Sequence, residues 1–231
     1  MIDRLNRLTI VTGHYGSGKT NLAVNLAVDL FRSGKKVVLV DLDIVNPYFR
    51  SADFKNQLTG MGIEMICPIY ANTNLDIPAL GADIYSVFRE GDDRYVILDV
   101  GGDDAGAAAL GRYAGMIQAE AFSLLYVVNR YRYLTQQPED AVQILREIEA
   151  TSRLPATGIV NNSNLGSQTT EADVKASLEY GEAVAKLAGV PLFANAVKRS
   201  LADNLAGGLV YPVDIFVVPP WEQPDLFSEN V

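Results

Sequence analysis

One segment near the start of the chain combines glycines, a lysine and a threonine at a spacing suited to holding phosphate groups. It reads GHYGSGKT, and an apolar run precedes it while an amphipathic stretch follows it. The glycines allow consecutive backbone N–H groups to turn towards phosphate oxygens, and the start of the following helix adds partial positive charge. Lys19 can reach the β- and γ-phosphates of a nucleotide, and the Thr20 hydroxyl can ligate Mg²⁺. The segment therefore predicts a site for a nucleoside triphosphate with magnesium.

Carboxylates follow two further apolar runs. Asp41 and Asp43 lie in VDLDIVNP, and Asp99 lies in ILDVGG. Side chains at the carboxyl ends of parallel strands lie where open α/β sheets bind ligands, and carboxylates there can hold Mg²⁺ or its water. Gly102 leaves a backbone N–H free to approach a γ-phosphate, so this loop could respond to its presence. Two aspartates with one residue between them are also typical of a solvated turn. The predicted phosphate-binding segment upstream favours the functional interpretation instead.

A run of asparagines stands where a guanine-specific site usually has N-K-x-D. The apolar residues 158–160 lead into Asn161-Asn162-Ser163-Asn164, so the lysine and the aspartate that read guanine are both missing. An asparagine amide offers adenine a donor and an acceptor. The pattern favours ATP over GTP. The alternative is that Asn161 and Asn162 only shape the turn.

Apolar runs and amphipathic stretches alternate along the whole chain and would position these motifs. Strands are predicted at residues 8–12, 36–42, 63–67, 95–100, 122–128, 156–160 and 215–218, and helices at 21–31, 138–150 and 171–187. Such alternation predicts an α/β fold with a doubly wound, mostly parallel sheet. We expect one nucleotide-binding domain over residues 1–218 and an irregular tail over 219–231.

Charge and composition restrict the partners. The chain carries 19 Lys and Arg against 28 Asp and Glu, a net charge of −9, so nucleic acid and anionic membranes are disfavoured as partners. It has no run of about 18 apolar residues and no targeting segment at its start, so no membrane association is expected. Cys67 is the single cysteine, which excludes an intrachain disulfide and fits a reducing compartment. We therefore expect a cytoplasmic protein.

Together, GHYGSGKT, VDLDIVNP and ILDVGG resemble, in order and spacing, the phosphate loop, switch I and switch II of the MinD/ParA/CobQ-type (SIMIBI class) P-loop ATPases. That class includes nitrogenase iron protein and the signal recognition GTPases. The resemblance covers most of the chain and implies the P-loop NTPase fold, with ATP or ADP and Mg²⁺ as cofactors. It implies that Asp43 positions the attacking water and that Lys19 is the second catalytic residue. It also implies that Asp41, Asp43 and Asp99 support the metal together with Thr20.

The predicted nucleotide contacts fall into three parts of the chain. They are the phosphate loop with the residue after it (Gly13, His14, Tyr15, Gly16, Ser17, Gly18, Lys19, Thr20 and Asn21), then Gly102, and finally the residues expected beside the base (Asn161, Asn162, Asn195 and Val197). Asn195 to Val197 enter because the late segment VPLFANAVKRSLADNLAGGLVYPV resembles the family's final strand and base-flanking loop, which implies that this stretch lies near the base.

The chain departs from the family's pattern at one position. Most MinD/ParA members carry a second lysine early in the loop, which reaches the partner's phosphate across a dimer, whereas this chain has His14, its single histidine. A protonated His14 could contact phosphate, or the residue could simply face solvent. The loop is also similar to GFLGAGKT of the CobW-type metallochaperone GTPases, but their cysteine-rich metal motif and guanine-reading motif are missing here.

The resemblance implies an ATP-dependent switch that acts on a protein partner and forms a nucleotide-dependent homodimer. The implied role is maturation or reactivation of a metalloenzyme or a corrinoid enzyme. The segment NRYRY, residues 129–133, has a composition suited to a protein interface, or is a loop whose tyrosines pack on neighbouring helices. The alternative is a small-molecule ligase or kinase of the dethiobiotin synthetase-like type, with Asp103, Asp104 and Arg112 lining a substrate pocket. A nucleotide-binding module without turnover is a third class, which Asp43 disfavours.

Overall fold

A computed structural model describes residues 1–43, 51–68, 82–89, 91–205 and 209–217. The IVNP part of the second motif, the predicted tail over 219–231 and the domain boundary at residue 218 lie outside the described residues. The predictions made for those parts of the chain stay predictions.

A single sheet of eight strands forms the centre of the described structure. The strands are β1 (Leu8–Thr12), β2 (Val37–Leu42), β3 (Glu64–Ile66), β4 (Tyr95–Val100), β5 (Phe122–Val128), β6 (Gly158–Asn161), β7 (Leu192–Lys198) and β8 (Val210–Val213). Their order is β3-β2-β4-β1-β5-β6-β7-β8, and every pair is parallel. Because the strand order proceeds in both directions from β1, the sheet is doubly wound, and the predicted α/β class is confirmed.

Helices cover both faces of this sheet. They are α1 (Lys19–Arg32), α2 (Lys55–Met61), α3 (Asp104–Gly111), α4 (Ala114–Ile117), α5 (Pro138–Ser152), α6 (Glu171–Ala188) and α7 (Arg199–Ala202). Short 3-10 segments occur at Ile2–Arg4, Ser51–Phe54, Ala82–Phe88, Tyr133–Thr135 and Gly166–Gln168. Apolar residues of α1 and α2 pack in one core, and those of α3 to α6 pack in the other.

The strands are apolar on both sides because both faces are covered. In β2, Leu39 packs in the core beneath α1, while Val38 and Val40 pack in the opposite core, and all three are fully buried. A parallel sheet between two helical layers requires such continuous apolar runs, which is why the strands were recognisable in the sequence. Local signals fix the helix ends as well: Thr170 and Asp173 form a capping box at the start of α6.

Strand register brings two polar pairs to the same edge of the sheet. Asp41 of β2 lies opposite Asp99 of β4, and β1 runs on the other side of β4. Asn161 of β6 lies opposite Asn195 of β7. The carboxyl ends of the central strands therefore carry an acidic pair close to the phosphate loop and an amide pair further along the sheet.

One predicted strand is wrong. Residues 215–217 are not in a strand, residue 218 lies outside the described residues, and the eighth strand is instead Val210–Val213. The physical reason is that side chains of α1 take the backbone groups that a neighbouring strand would pair. The amide N–H groups of Phe216 and Val217 donate to Asn21 Oδ1 at 2.8 and 3.2 Å. The backbone N–H of Asp214 donates to Asn25 Oδ1 at 2.8 Å.

Among the residues that the structure describes, no helix is both long enough and apolar enough to cross a membrane.

Candidate nucleotide-binding site

The phosphate loop joins β1 to the start of α1. Lys19 is the first residue of α1 and only 7% exposed, and its Nζ lies 3.4 Å from the carbonyl oxygen of His14. The N-cap residue of α1 is Gly18, which has no side chain to accept from the first N–H groups of the helix. A buried lysine beside the uncapped start of a helix is an arrangement that binds anions.

The shape of the loop depends on Gly18 and on a contact with the far side of the site. Gly18 has φ of +88°, and a Cβ added there would lie 2.1 Å from Nδ2 of Asn162. That amide nitrogen donates to the carbonyl oxygen of Ser17 at 2.7 Å. Asn162, at the end of β6, therefore ties the phosphate loop to the part of the site that was predicted to read the base.

Carboxylates surround the Lys19 ammonium. Burial lowers the pKa of Lys19, and the nearby charges of Asp99, Asp43 and Asp103 act against that decrease. Asp43 lines the cavity described below, and its backbone N–H donates to Asp41 Oδ1 at 2.9 Å. The structure thus brings together the lysine that the sequence assigned to phosphate binding and the carboxylates that it assigned to metal binding and to catalysis.

Asp99 is a fully buried carboxylate at this site. Its oxygens are buried and accept no hydrogen bond of ordinary geometry from any described residue, although the hydroxyls of Thr20 and Ser51 lie close enough to lower its pKa. Burial is the larger effect and raises the pKa of Asp99 to about 6, against the opposing charge of Lys19. A buried carboxylate without donors is costly, and a bound cation would remove that cost.

These residues fit a magnesium ion held jointly with a nucleotide. Mg²⁺ usually binds one or two protein groups and takes its other ligands from phosphates and water. Thr20, Asp99 and Asp41 supply the oxygen atoms that it prefers. Within the described ranges, no cluster of three or more His, Cys, Asp or Glu side chains could hold a metal ion, so an all-protein metal cage is not formed there.

The loop after β4 packs directly against the phosphate loop. A Cβ added to Gly102 would lie 2.3 Å from the carbonyl oxygen of Gly13 and 2.8 Å from Lys19 Nζ. Only glycine fits at this approach. Asp103 then caps α3, with its Oδ1 accepting from the N–H of Gly106 at 2.8 Å. Gly102 is therefore held beside the ammonium group that would bind the terminal phosphates.

A cavity of about 350 Å³ extends from the phosphate loop across the ends of β6, β7 and β8. Of the predicted nucleotide contacts, the residues that line it are Tyr15, Gly16, Gly18, Lys19, Thr20, Asn21, Asn162 and Val197. The volume lies in the range of ordinary ligand pockets. The polar end of the cavity holds Lys19 and Thr20, and the other end is mostly apolar.

Several predicted residues do not line the cavity. Gly13, His14, Ser17, Gly102, Asn161 and Asn195 are in this group, as are Asp41 and Asp99. His14 has its pKa lowered by burial and, to a lesser degree, by the charge of Lys19, which favours its neutral form. Gly13 and Gly102 shape the site through the close packing of their backbones.

Asn161 and Asn195 are occupied within the protein. Asn161 Nδ2 donates to Asn195 Oδ1 at 2.8 Å and to the carbonyl oxygen of Ser177 at 3.0 Å. Its Oδ1 accepts from the hydroxyl of Ser163 at 2.6 Å. This buried network joins β6, β7 and α6, so both amides shape the turn rather than face the cavity.

Asn21 contacts a segment that is distant in sequence. Besides accepting from the backbone of residues 216 and 217, it donates from Nδ2 to the carbonyl oxygen of Asp214 at 3.0 Å. Ile215 and Val217 in that segment line the cavity. Asn21 therefore fixes the segment that closes the apolar end of the cavity.

Sequence reasoning missed much of the lining. The additional residues are Arg132, Ser163, Asn164, Gly166, Thr169, Val174, Lys198, Val213, Ile215 and Val217. Ala196, within the stretch expected beside the base, also lines the cavity. Those that neighbour a predicted residue, such as Ser163 and Lys198, could have been found by extending the motif. Arg132 gave no such signal, since only the fold brings it to the phosphate loop.

Comparisons with known proteins agree with this geometry. The model of the CobQ/CobB/MinD/ParA nucleotide-binding domain matches residues 8–186. No curated protein matches the chain. Among solved structures, chloroplast FtsY from Physcomitrella patens is similar at 17% identity with a TM-score of 0.57, over 86% of this chain and 61% of that one.

Two further FtsY structures are similar. The signal recognition particle receptor FtsY from Elizabethkingia anophelis, in complex with GDP, has 19% identity and a TM-score of 0.55, over 83% of this chain and 57% of that one. The cell division protein FtsY from Thermotoga maritima has 20% identity and a TM-score of 0.52, over 84% and 63%. This chain thus spans less than two thirds of each of those chains, and the likeness shows the fold alone. The family match, in contrast, covers most of the chain, which belongs to the CobQ/CobB/MinD/ParA family of nucleotide-binding domains.

Proposed function

We propose that the protein is a Mg²⁺-dependent ATP-binding and ATP-hydrolysing switch that acts on a protein partner. One observation carries the proposal: Gly102 lies against the phosphate loop, where even a Cβ would come within 2.8 Å of Lys19 Nζ. A γ-phosphate bound at Lys19 would therefore meet the N–H of Gly102, whereas the shorter diphosphate would not reach as far. Since α3 begins at Asp104, directly after this loop, a change there can be transmitted to the surface.

The residues have separate roles in hydrolysis. Lys19 neutralises charge on the β- and γ-phosphates, and Asp43 orients the attacking water. Magnesium, when bound, would neutralise phosphate charge at Thr20, Asp41 and Asp99. The apolar end of the cavity holds the base and so places the γ-phosphate beside Asp43.

Asn162 supports ATP as the nucleotide. Its Nδ2 faces the carbonyl oxygen of Ser17, an acceptor, so this orientation of the amide is fixed by chemistry. Its Oδ1 accepts no hydrogen bond from any described residue and is left as an acceptor beside the cavity. An acceptor there suits the exocyclic amine of adenine and opposes the carbonyl oxygen of guanine.

A nucleotide-dependent homodimer is the form in which we expect the switch to act. Burial and the charge of Lys19 both lower the pKa of His14, which disfavours His14 as a source of positive charge for this contact. The site gives less support to a small-molecule ligase or kinase: Asp103, Asp104 and Arg112 do not line the described cavity, and Asp103 caps α3. Maturation or reactivation of a metalloenzyme or corrinoid enzyme is the process to test first.

The central experiment compares ATP and ADP on the Asp43→Ala protein. We expect it to bind both nucleotides with Mg²⁺, to hydrolyse ATP far more slowly than wild type, and to form a dimer in light scattering with ATP only. Calorimetry on the wild-type protein should give tighter binding of ATP than of GTP.

The Lys19→Ala protein is the control, because it should stay monomeric with either nucleotide. An Asp43→Ala protein of the same mass and shape in ATP and in ADP would contradict the switch. Equal displacement of ATP by GTP would contradict the assignment of the base.

A further inference from the structure

Arg132 lies on the outer side of the phosphate loop. It follows β5 in the chain, and its Nε donates to the carbonyl oxygen of Gly16 at 2.9 Å. The approach is close: the guanidinium carbon lies 3.6 Å from the position that a Cβ on Gly16 would occupy. Arg132 also lines the cavity, together with Gly16, Lys19 and Thr20. A residue 116 positions away in sequence is thus fastened to the loop that would bind phosphate.

Only one edge of this guanidinium is used. Among the described residues, its two terminal nitrogens make no hydrogen bond and no ion pair. Arg130, two positions earlier, is different, because its Nη1 donates to the carbonyl oxygen of Ala176 and its guanidinium lies over the Tyr131 ring. An arginine anchored through Nε and free at both terminal nitrogens can offer those donors to an anion.

The charges at this end of the cavity call for a second cation. Lys19 already faces the carboxylates of Asp99 and Asp43, so part of its charge is compensated before a nucleotide binds. His14 favours its neutral form there. Of the described residues that line the cavity, Lys198 is a further cation, but it adjoins Val197 at the apolar end. Within the described part of the chain, Arg132 is therefore a positive charge next to the phosphate loop that no carboxylate pairs with.

We infer that Arg132 binds the phosphates of the nucleotide held by its own chain, acting as a second phosphate-binding cation beside Lys19. This inference rests on the proposed nucleotide site and deepens it. The Nε contact to Gly16 positions the guanidinium, and the two terminal nitrogens donate to phosphate oxygens. Charge-assisted hydrogen bonds of this kind are about twice as strong as neutral ones.

The substitution Arg132→Gln separates the anchor from the charge. Glutamine has its Nε2 at the same number of bonds from the backbone as the arginine Nε, so it can still donate to Gly16 while lacking the terminal nitrogens and the charge. Arg132→Lys keeps the charge and loses the anchor. Arg130→Gln is the matched control, because Arg130 does not line the cavity.

Calorimetry with ATP and Mg²⁺ is the measurement, at low salt and at about 0.5 M salt, where charge interactions are strongly screened. We expect Arg132→Gln to bind ATP about tenfold more weakly at low salt. The loss should shrink at high salt, Arg132→Lys should retain most of the affinity, and Arg130→Gln should match wild type.

Wild-type affinity in Arg132→Gln would overturn the inference, since the anchor alone would then explain the contact. A loss of equal size at both salt concentrations would also overturn it. So would a loss that appears only at protein concentrations where dimers form, because Arg132 would then act on the partner's nucleotide. If wild type fails to bind ATP, or if Lys19→Ala binds it normally, the proposed nucleotide site itself fails.

Discussion

The two ends of the cavity are built differently. The end proposed to hold the phosphates, called here the phosphate end, is lined mainly by residues 15–20 of one loop and the start of α1, to which Asp43 and Arg132 are added from other parts of the chain. The apolar end is assembled from four separate parts of the chain, the ends of β6, β7 and β8 and the start of α6. The proposed phosphate site thus lies mostly within one stretch of sequence, whereas the apolar end, proposed to hold the base and called here the base end, depends on the assembled fold.

The ends also differ in how far their polar groups are satisfied without a ligand. Described buried atoms without a hydrogen-bond partner include both carboxylate oxygens of Asp99 and the hydroxyls of Ser17 and Thr12, all at the phosphate end. At the other end, Asn161 uses its amide fully within the protein. We conclude that a bound nucleotide and its metal ion would complete the phosphate end, whereas the base end is formed in advance.

The largest effect should come from Lys19, which serves the phosphate end alone. We expect Lys19→Ala to weaken ATP binding about 100-fold or more, because removal of one partner of a buried charge interaction costs several kcal/mol. Calorimetry at constant salt measures this loss. Lys186→Ala, at an exposed position in α6, is the control and should bind ATP like wild type.

The second-largest effect is expected from Gly102→Ala, because this substitution disturbs the packing of two loops. The added methyl group would lie 2.3 Å from the carbonyl oxygen of Gly13, so the two loops must separate. We expect ATP affinity to fall by more than tenfold and ADP affinity by less, measured by calorimetry with Mg²⁺. Gly115→Ala, where nothing lies within 4 Å, should change neither value. Equal losses for ATP and ADP would show that Gly102 shapes the loop without responding to the γ-phosphate.

Asn161→Ala tests the base end, and its effect should be on stability. The change leaves the carbonyl oxygen of Ser177 and the amide of Asn195 without their partner, which costs about 2 kcal/mol of unfolding free energy. Urea unfolding measures the loss, and Asn56→Ala at an exposed site on α2 is the control. ATP affinity of the folded protein should fall less than in Lys19→Ala. A larger fall would mean that Asn161 contacts the base.

The smallest effect is expected from the rim of the base end. Asp214 accepts two hydrogen bonds from the Arg199 guanidinium, which lowers its pKa, but both side chains are substantially exposed. Solvent screening limits such a pair to about 0.5 kcal/mol. A carboxylate whose pKa is lowered in the folded protein stabilises the fold at pH values above its ordinary pKa of about 4. That stabilisation is lost as the pH falls through the lowered pKa.

Urea unfolding of Asp214→Asn and wild type should therefore differ by about 0.5 kcal/mol at pH 7, and the difference should shrink as the pH falls below the ordinary aspartate pKa of about 4. Asp203→Asn, at an exposed site beyond α7, is the control. A difference that grows at low pH would contradict the assigned role of the pair.

The sequence by itself determined the parts that depend on neighbours along the chain. It predicted the phosphate loop from fixed spacing, and three strands (residues 8–12, 95–100 and 122–128) with the bounds that the structure has. It also predicted that Asp41, Asp43 and Asp99 lie at the carboxyl ends of strands, on one edge of the sheet. Continuous apolar runs and glycine-rich turns indicate these elements locally. A strand buried on both faces is apolar along its whole length, so the ends of the run mark the ends of the strand.

Only the tertiary structure decided which distant residues complete the site. Asn21 meets Phe216 across 195 positions, and Arg132 meets Gly16 across 116. Asn161 and Asn195 look equally suited to read a base, yet their register as neighbours in β6 and β7 makes them partners of each other. The physical reason is that a side chain's role depends on which donors and acceptors strand pairing brings within about 3 Å of it, and residue order does not fix that pairing.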